Sequence, residues 1–110
     1  MKKAVLLVVL FASAGASSAP YNLYVPSDAN ATYTVIDKGS KGELKTIITK
    51  REGKAGITYS QRAYDCEMRQ VMYLGSGETI EQMRSSKADE RLSPINEKSI
   101  AWYVGQEACQ

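Results

Sequence analysis

Asp65, Cys66 and Glu67 stand in a row, and on a strand the two carboxylates, two residues apart, share one face at about 7 Å. Carboxylates at that separation can do paired acid–base chemistry. The only charged companions close by on the chain are Arg62 and Arg69, so the arrangement reads as a solvated ladder of opposite charges in which each pair contributes a few tenths of a kcal/mol. A nucleophilic role for Cys66 or Cys109 needs an activating base, and the chain contains no histidine. The same lack leaves no metal-ligand set once the two cysteines are paired with each other. The serines have no base partner, and Gly75-Ser76-Gly77 follows a strand-like run without opening a helix. It reads as a hairpin turn rather than a phosphate-binding loop. The chemistry-bearing residues point away from an enzyme, and no cofactor or metal is expected.

Binding is better served. Lys38, Lys41, Lys45, Lys50, Arg51, Lys54 and Arg62 fall in one half of the chain, and Lys45, Lys50, Arg51 and Lys54 are the candidate ligand-binding residues. Trp102 and Tyr103 could anchor an interface, although an aromatic pair on a helix that closes a small sheet more often belongs to the core.

The amino-terminal segment bears on where such binding happens. Lys2 and Lys3 precede an apolar run from Ala4 to Phe11 and a stretch of small residues from Ala12 to Ala19, the order in which a secretory signal peptide is built. The apolar run is shorter than the roughly 20 residues a membrane span requires. Residues 1–18 are expected to be cleaved and residues 19–110 to form a single domain. The chain has 14 basic and 12 acidic residues, so without Lys2 and Lys3 the net charge is near zero, which argues against nucleic acid as a partner.

About 90 mature residues make a domain of marginal burial capacity that gains from a covalent clamp. In an exported chain, two cysteines read as a disulfide, Cys66 to Cys109, with no ambiguity of connectivity. Closing that loop stabilises by roughly 4 kcal/mol on the chain-entropy account.

The elements that carry these residues are mostly strands. Ala31 to Asp37 alternates through Tyr33 and Val35, then Lys38 to Gly42 has turn chemistry. Glu43 to Arg51 mixes Leu44, Ile47 and Ile48 with threonines and lysines, as a half-solvated antiparallel strand does, and Glu52 to Gly56 is a second turn. Ile57 to Leu74 runs on without glycine or proline. Its even positions, Cys66, Met68, Met72 and Leu74, predict a core face that includes Cys66. Glu78 to Arg84 is read as a strand through Thr79 and Ile80, with a short helical turn as the alternative, and Ser85 to Pro94 as a surface connection. Ser99 is a helix N-cap ahead of Ile100, Ala101, Tyr103, Val104 and Ala108 at helical spacing, and Gly105 inside that helix costs about 1 kcal/mol. The fold class is therefore α+β: an antiparallel β-sheet with a C-terminal α-helix tied to a central strand by one disulfide.

Asp65-Cys66 on a strand, Pro94-Ile95, the serine cap Ser99 and the closing Cys109 together resemble the surface-adhesin protein E family over roughly Glu43 to Cys109. Glu97-Lys98-Ser99 stands where that family often has Pro-Gly-Ser, and the tryptophan common near Leu44 is missing. The resemblance implies an adhesin E-like domain in residues 19–110 of a bacterial envelope protein, periplasmic or at the cell surface, with host extracellular-matrix proteins among its partners. Export, the missing catalytic constellation and the resemblance converge on a non-catalytic protein that binds another macromolecule. The alternative is a periplasmic inhibitor or immunity protein that blocks a single enzyme. Exposed edge strands are compatible with a monomer or a homodimer.

Overall fold

Two-residue turns, not longer loops, join the central strands. β2 (Thr32–Lys41) and β3 (Leu44–Gly53) meet at Lys41 and Leu44, and Gly42 takes the left-handed conformation at φ 61° that such tight hairpins require. β3 meets β4 (Gly56–Asp65) at Gly53 and Gly56. The expected strands and turns of this region are present, each strand extended by a few residues. The computed structural model describes residues 19–110; the expected signal peptide, residues 1–18, lies outside them.

The sheet continues through β5 (Gln70–Gly77), and two short strands, β1 (Tyr21–Leu23) and β6 (Ser93–Pro94), close its margins. Strand order in the sheet equals order in the chain, β1 to β6, and every pairing is antiparallel. Among the described residues two α-helices complete the fold, α1 (Ile80–Ser85) and α2 (Ile100–Ala108). The expected antiparallel sheet with a C-terminal helix is the observed architecture, and a disulfide joins Cys66, directly after β4, to Cys109, directly after α2.

Three sequence expectations are corrected. Ile57 to Leu74 is not one strand: Cys66 to Arg69 form a turn between β4 and β5. The Asp65 side chain makes that turn, its Oδ1 accepting from the amides of Glu67 at 3.2 Å and Met68 at 3.0 Å, a local bond that competes with the ladder. Arg69 then reverses the chain at φ 58°. Cys66 is consequently exposed instead of facing the core, and Met68 is 66 % exposed. Gly75-Ser76-Gly77 is not a turn but the end of β5. Glu78 to Arg84 takes the helical alternative and not the favoured strand: Thr79 caps α1 by accepting from the Gln82 amide at 3.0 Å.

Alternation places the two helices on opposite faces. Val35, Ile47, Tyr64 and Val71 share the face covered by α2 through Val104 and Ala108. Leu23, Ile95, Ile100 and Ala101 pack at its margin. Tyr64 is fully buried, and its hydroxyl donates to the Ala101 carbonyl at 2.7 Å, which satisfies the polar end of an otherwise apolar ring. α1 lies over β5 on the other face, where Met83 is buried. Ser99 caps α2 as expected, accepting from the Trp102 amide at 3.2 Å.

Candidate functional site

Strand alternation divides the basic residues. In the register of β3, Lys45 and Arg51 lie on the α2 face with Ile47 and Thr49, whereas Lys50 points to the opposite face. Lys45 and Lys54, near the two ends of the β3 hairpins, stand about 30 Å apart along extended chain. Lys50 pairs with Glu52 at 3.4 Å. Lys45 and Lys54 are exposed, and neither is in an ion pair among the described residues. The four candidate residues are thus not gathered into one patch.

Arg51 is held inside the domain. Its guanidinium grips Asp28 with Nε at 2.6 Å from Oδ2 and Nη2 at 3.2 Å from Oδ1, a bidentate geometry. Tyr33, opposite Arg51 in the register, donates its hydroxyl to the same carboxylate at 2.7 Å. Arg51 first and Tyr33 second hold the Asp28 carboxyl below its ordinary value. Burial, and then the bond to Asp28, push Tyr33 up to about 12. The cluster secures the 3₁₀ turn at Pro26–Asp28 to the sheet. At the other end of β1, the Tyr21 hydroxyl donates to Glu107 of α2, and that bond raises Tyr21 to about 12. Lys38 reaches the same Glu107 at 3.7 Å.

Arg62 is 4 % exposed and has no carboxylate partner among the described residues. Its Nη1 donates to Thr49 Oγ1 at 3.1 Å and its Nη2 to the Tyr73 hydroxyl at 2.9 Å, with the guanidinium carbon 4.7 Å from the Tyr73 ring centroid. Nε has no hydrogen-bond partner among the described residues. A cation so placed lacks a counter-charge, and its cost is offset only by two hydroxyls and a π face.

The carboxylates beside Cys66 do not form the strand-spaced pair considered from sequence. Asp65 caps the turn, while Glu67 lies within it, exposed. Among the described residues no group of three or more His, Cys, Asp or Glu side chains is arranged to hold a metal ion, and no helix is long and apolar enough to cross a membrane.

What the turn does build is a cleft. Between α2 and the β4–β5 turn lies an open hollow of about 320 Å³ lined by Tyr64, Asp65, Cys66, Arg69, Ile95, Trp102, Gly105, Gln106 and Cys109. Trp102, Gly105, Gln106 and Cys109 follow helical spacing and form one wall; the turn and Ile95 form the other. Trp102 also meets Tyr103 edge-on, ring centroids 4.9 Å apart, and both are half-buried, between the core and interface roles weighed from sequence. Arg69 entered the sequence reading only as part of a charge ladder, because its position depends on a turn made by the Asp65 side chain with no glycine or proline. No protein-family model matches this chain, nor does any curated protein or solved structure.

Proposed function

We propose that the mature chain is an exported, non-catalytic envelope protein that works by binding another macromolecule, with host matrix proteins as the first candidates because of the adhesin E-like residues. The disulfide is consistent with an oxidising compartment outside the cytoplasm. The observation that carries the reading is the β2–β3 hairpin. Asp37 to Glu43 are all exposed, yet the two-residue turn and the pairing of Lys38 to Lys41 with β3 hold them in one conformation, so little ordering cost remains on binding. Lys41 and Lys45 sit at its tip, exposed and without ion pairs among the described residues.

The test is capture of envelope and host-matrix proteins on the purified, oxidised mature domain, with mass spectrometry of what is retained. Matrix proteins retained in a salt-sensitive way, and lost from a Lys41→Glu, Lys45→Glu variant, support the reading. Retention that is unchanged in that variant removes the hairpin from the proposal, and no specific retention by the folded domain removes envelope and matrix proteins as ligands of the hairpin. Arg51 is a poor choice for charge reversal, since it would break the grip on Asp28 whatever the ligand.

The same hairpin favours a second reading, a periplasmic inhibitor or immunity protein, since a rigid protruding turn suits insertion into an enzyme cleft. Recovery of one bacterial enzyme, with loss of its activity in a one-to-one complex, would select it.

A further inference from the structure

The cleft beside the disulfide has a mixed character that defines what would fill it. Ile95 and Trp102 supply apolar walls, and the Tyr64 ring, packed against Gly105, closes the floor. Its volume of about 320 Å³ is at the small end of ligand sites, sized for one large side chain and the groups attached to it. Two charges stand at its margin. Asp65 already accepts from two backbone amides, whereas the Arg69 side chain has neither an ion pair nor a hydrogen bond among the described residues. Arg69 is also fixed at its backbone, at φ 58°, with its carbonyl accepting from the Ile95 amide at 3.3 Å. Such left-handed non-glycine residues cost energy and concentrate at ligand sites.

A free guanidinium next to an apolar hollow complements a carboxylate attached to an apolar group, since the fork donates to both oxygens at once. Gln106, exposed on the helix wall, brings an NH₂ donor group and a carbonyl acceptor, the pair a peptide unit needs. From these features we infer that the cleft captures the C-terminal residue of a partner polypeptide: its apolar side chain lies against Trp102 and Ile95, its α-carboxylate meets Arg69, and its last peptide group meets Gln106. The inference deepens, and rests on, the reading of this chain as a macromolecule-binding protein. It names a site distinct from the β2–β3 hairpin.

Trp102 is the only tryptophan in the chain, so its emission reports occupancy directly. The oxidised protein is titrated with the peptide acetyl-Gly-Ser-Gly-Leu as the free acid, with the same peptide amidated, with the free acid ending in Ser, and with acetyl-leucine alone. The expected result is a saturable change with the free acid and binding about tenfold or more weaker for the amide. The Ser-ended peptide is weaker too, and acetyl-leucine, which lacks the preceding peptide units, weaker than the leucine peptide. Arg69→Asn keeps a residue that tolerates the left-handed backbone and should erase the acid–amide difference. Gln106→Glu, a surface change, should weaken the acid by about tenfold through like charge. Equal binding of acid and amide, or no saturable change up to millimolar peptide in a protein that melts cooperatively, overturns the inference. Equal affinity for acetyl-leucine would assign the cleft to small apolar acids and overturn the polypeptide assignment. Salt-sensitive capture at the hairpin alongside failed peptide binding removes this site alone; failed capture with successful peptide binding removes the hairpin reading alone.

Discussion

Gly105 lies directly against the ring of Tyr64: a methyl group added at its α-carbon would sit 2.5 Å from Cε2. The ring cannot retreat, because it is fully buried and its hydroxyl is bonded to Ala101 on the same helix. Glycine is an unfavourable helix residue by about 1 kcal/mol, and here that cost permits α2 to lie close on the sheet. Gly105→Ala is therefore expected to destabilise the domain in spite of better helix propensity, by about 1–2 kcal/mol net of overpacking. Urea unfolding of the two proteins measures it, and a stabilised variant would show that the helix can lift off Tyr64 at little cost.

Gly75 should be less tolerant still. A Cβ there would meet the Met83 carbonyl oxygen at 2.1 Å and Ser86 Oγ at 2.9 Å. Backbone has no rotamer with which to give way, so Gly75→Ala should displace α1 and lower stability by about 2–3 kcal/mol or more. Hydrogen exchange of residues 80–85 reads the displacement separately from the global loss.

Acid sensitivity should centre on Asp28. Its carboxyl is depressed in the folded state by Arg51 and Tyr33, so the folded form binds a proton less readily than the unfolded form. The resulting stabilisation is present above the ordinary carboxyl value of 3.8 and is lost as pH falls below it through the depressed value. Asp28→Asn should be less stable than the parent at pH 6 and lose less stability on going to pH 3. Parallel melting curves that keep a constant gap between the two proteins would remove Asp28 as the source.

Reducing the disulfide releases a loop of 43 residues, and the chain-entropy account predicts a loss of about 4 kcal/mol. A Cys66→Ser, Cys109→Ser variant should show that loss in urea, concentrated in residues 100–108 by hydrogen exchange. A loss below about 1 kcal/mol would mean that α2 docks on its apolar face and the Tyr64–Ala101 bond alone.

Arg62 invites the opposite test. A buried cation with only hydroxyl partners and an unpaired Nε forgoes water without gaining a counter-ion. Apolar replacements of similar volume at buried charges are often neutral or stabilising. Arg62→Met should keep or raise the urea midpoint, whereas Arg62→Ala should lower it by leaving a void beneath Tyr73. A large loss in the methionine variant would show that the contacts to Thr49 and Tyr73 outweigh desolvation.

The parts of the fold legible in the sequence are those written in local chemistry. Gly42 and the glycines of Glu52 to Gly56 mark turns between strand-like runs, and Ser99 with its apolar spacing marks α2. The cysteine pair needed only the compartment and the count. Gly75 and Gly77 misled because glycine has two uses: here they leave room for a helix that crosses the strand, a tertiary reason absent from any local window. Thr79 and Gln82, three residues apart, carried a capping signature that outranked the strand-like look of Thr79 and Ile80. Of the candidate ligand residues, alternation along β3 already assigned Lys45 and Lys50 to opposite faces. That Arg51 is neutralised depended on Asp28, which lies 23 residues earlier in the chain. The cleft at Arg69 was not legible, since two separated segments make its walls.

Strand order that equals chain order has a kinetic consequence. From β2 to β5 each hairpin can zip onto the one before it, with no long connection to close, on the microsecond scale of hairpin formation. The helix face is different, because Tyr64 waits for Ala101, 37 residues later. Until α2 arrives, a strip of Val35, Ile47, Tyr64 and Val71 faces water and both thiols remain open. With two cysteines in the chain, oxidation within one molecule has a single outcome, so the hazard of premature oxidation lies between molecules. Sticky sheets that meet before α2 docks can be joined through Cys66, and dilution during refolding should raise the yield of monomer more than any change of oxidant.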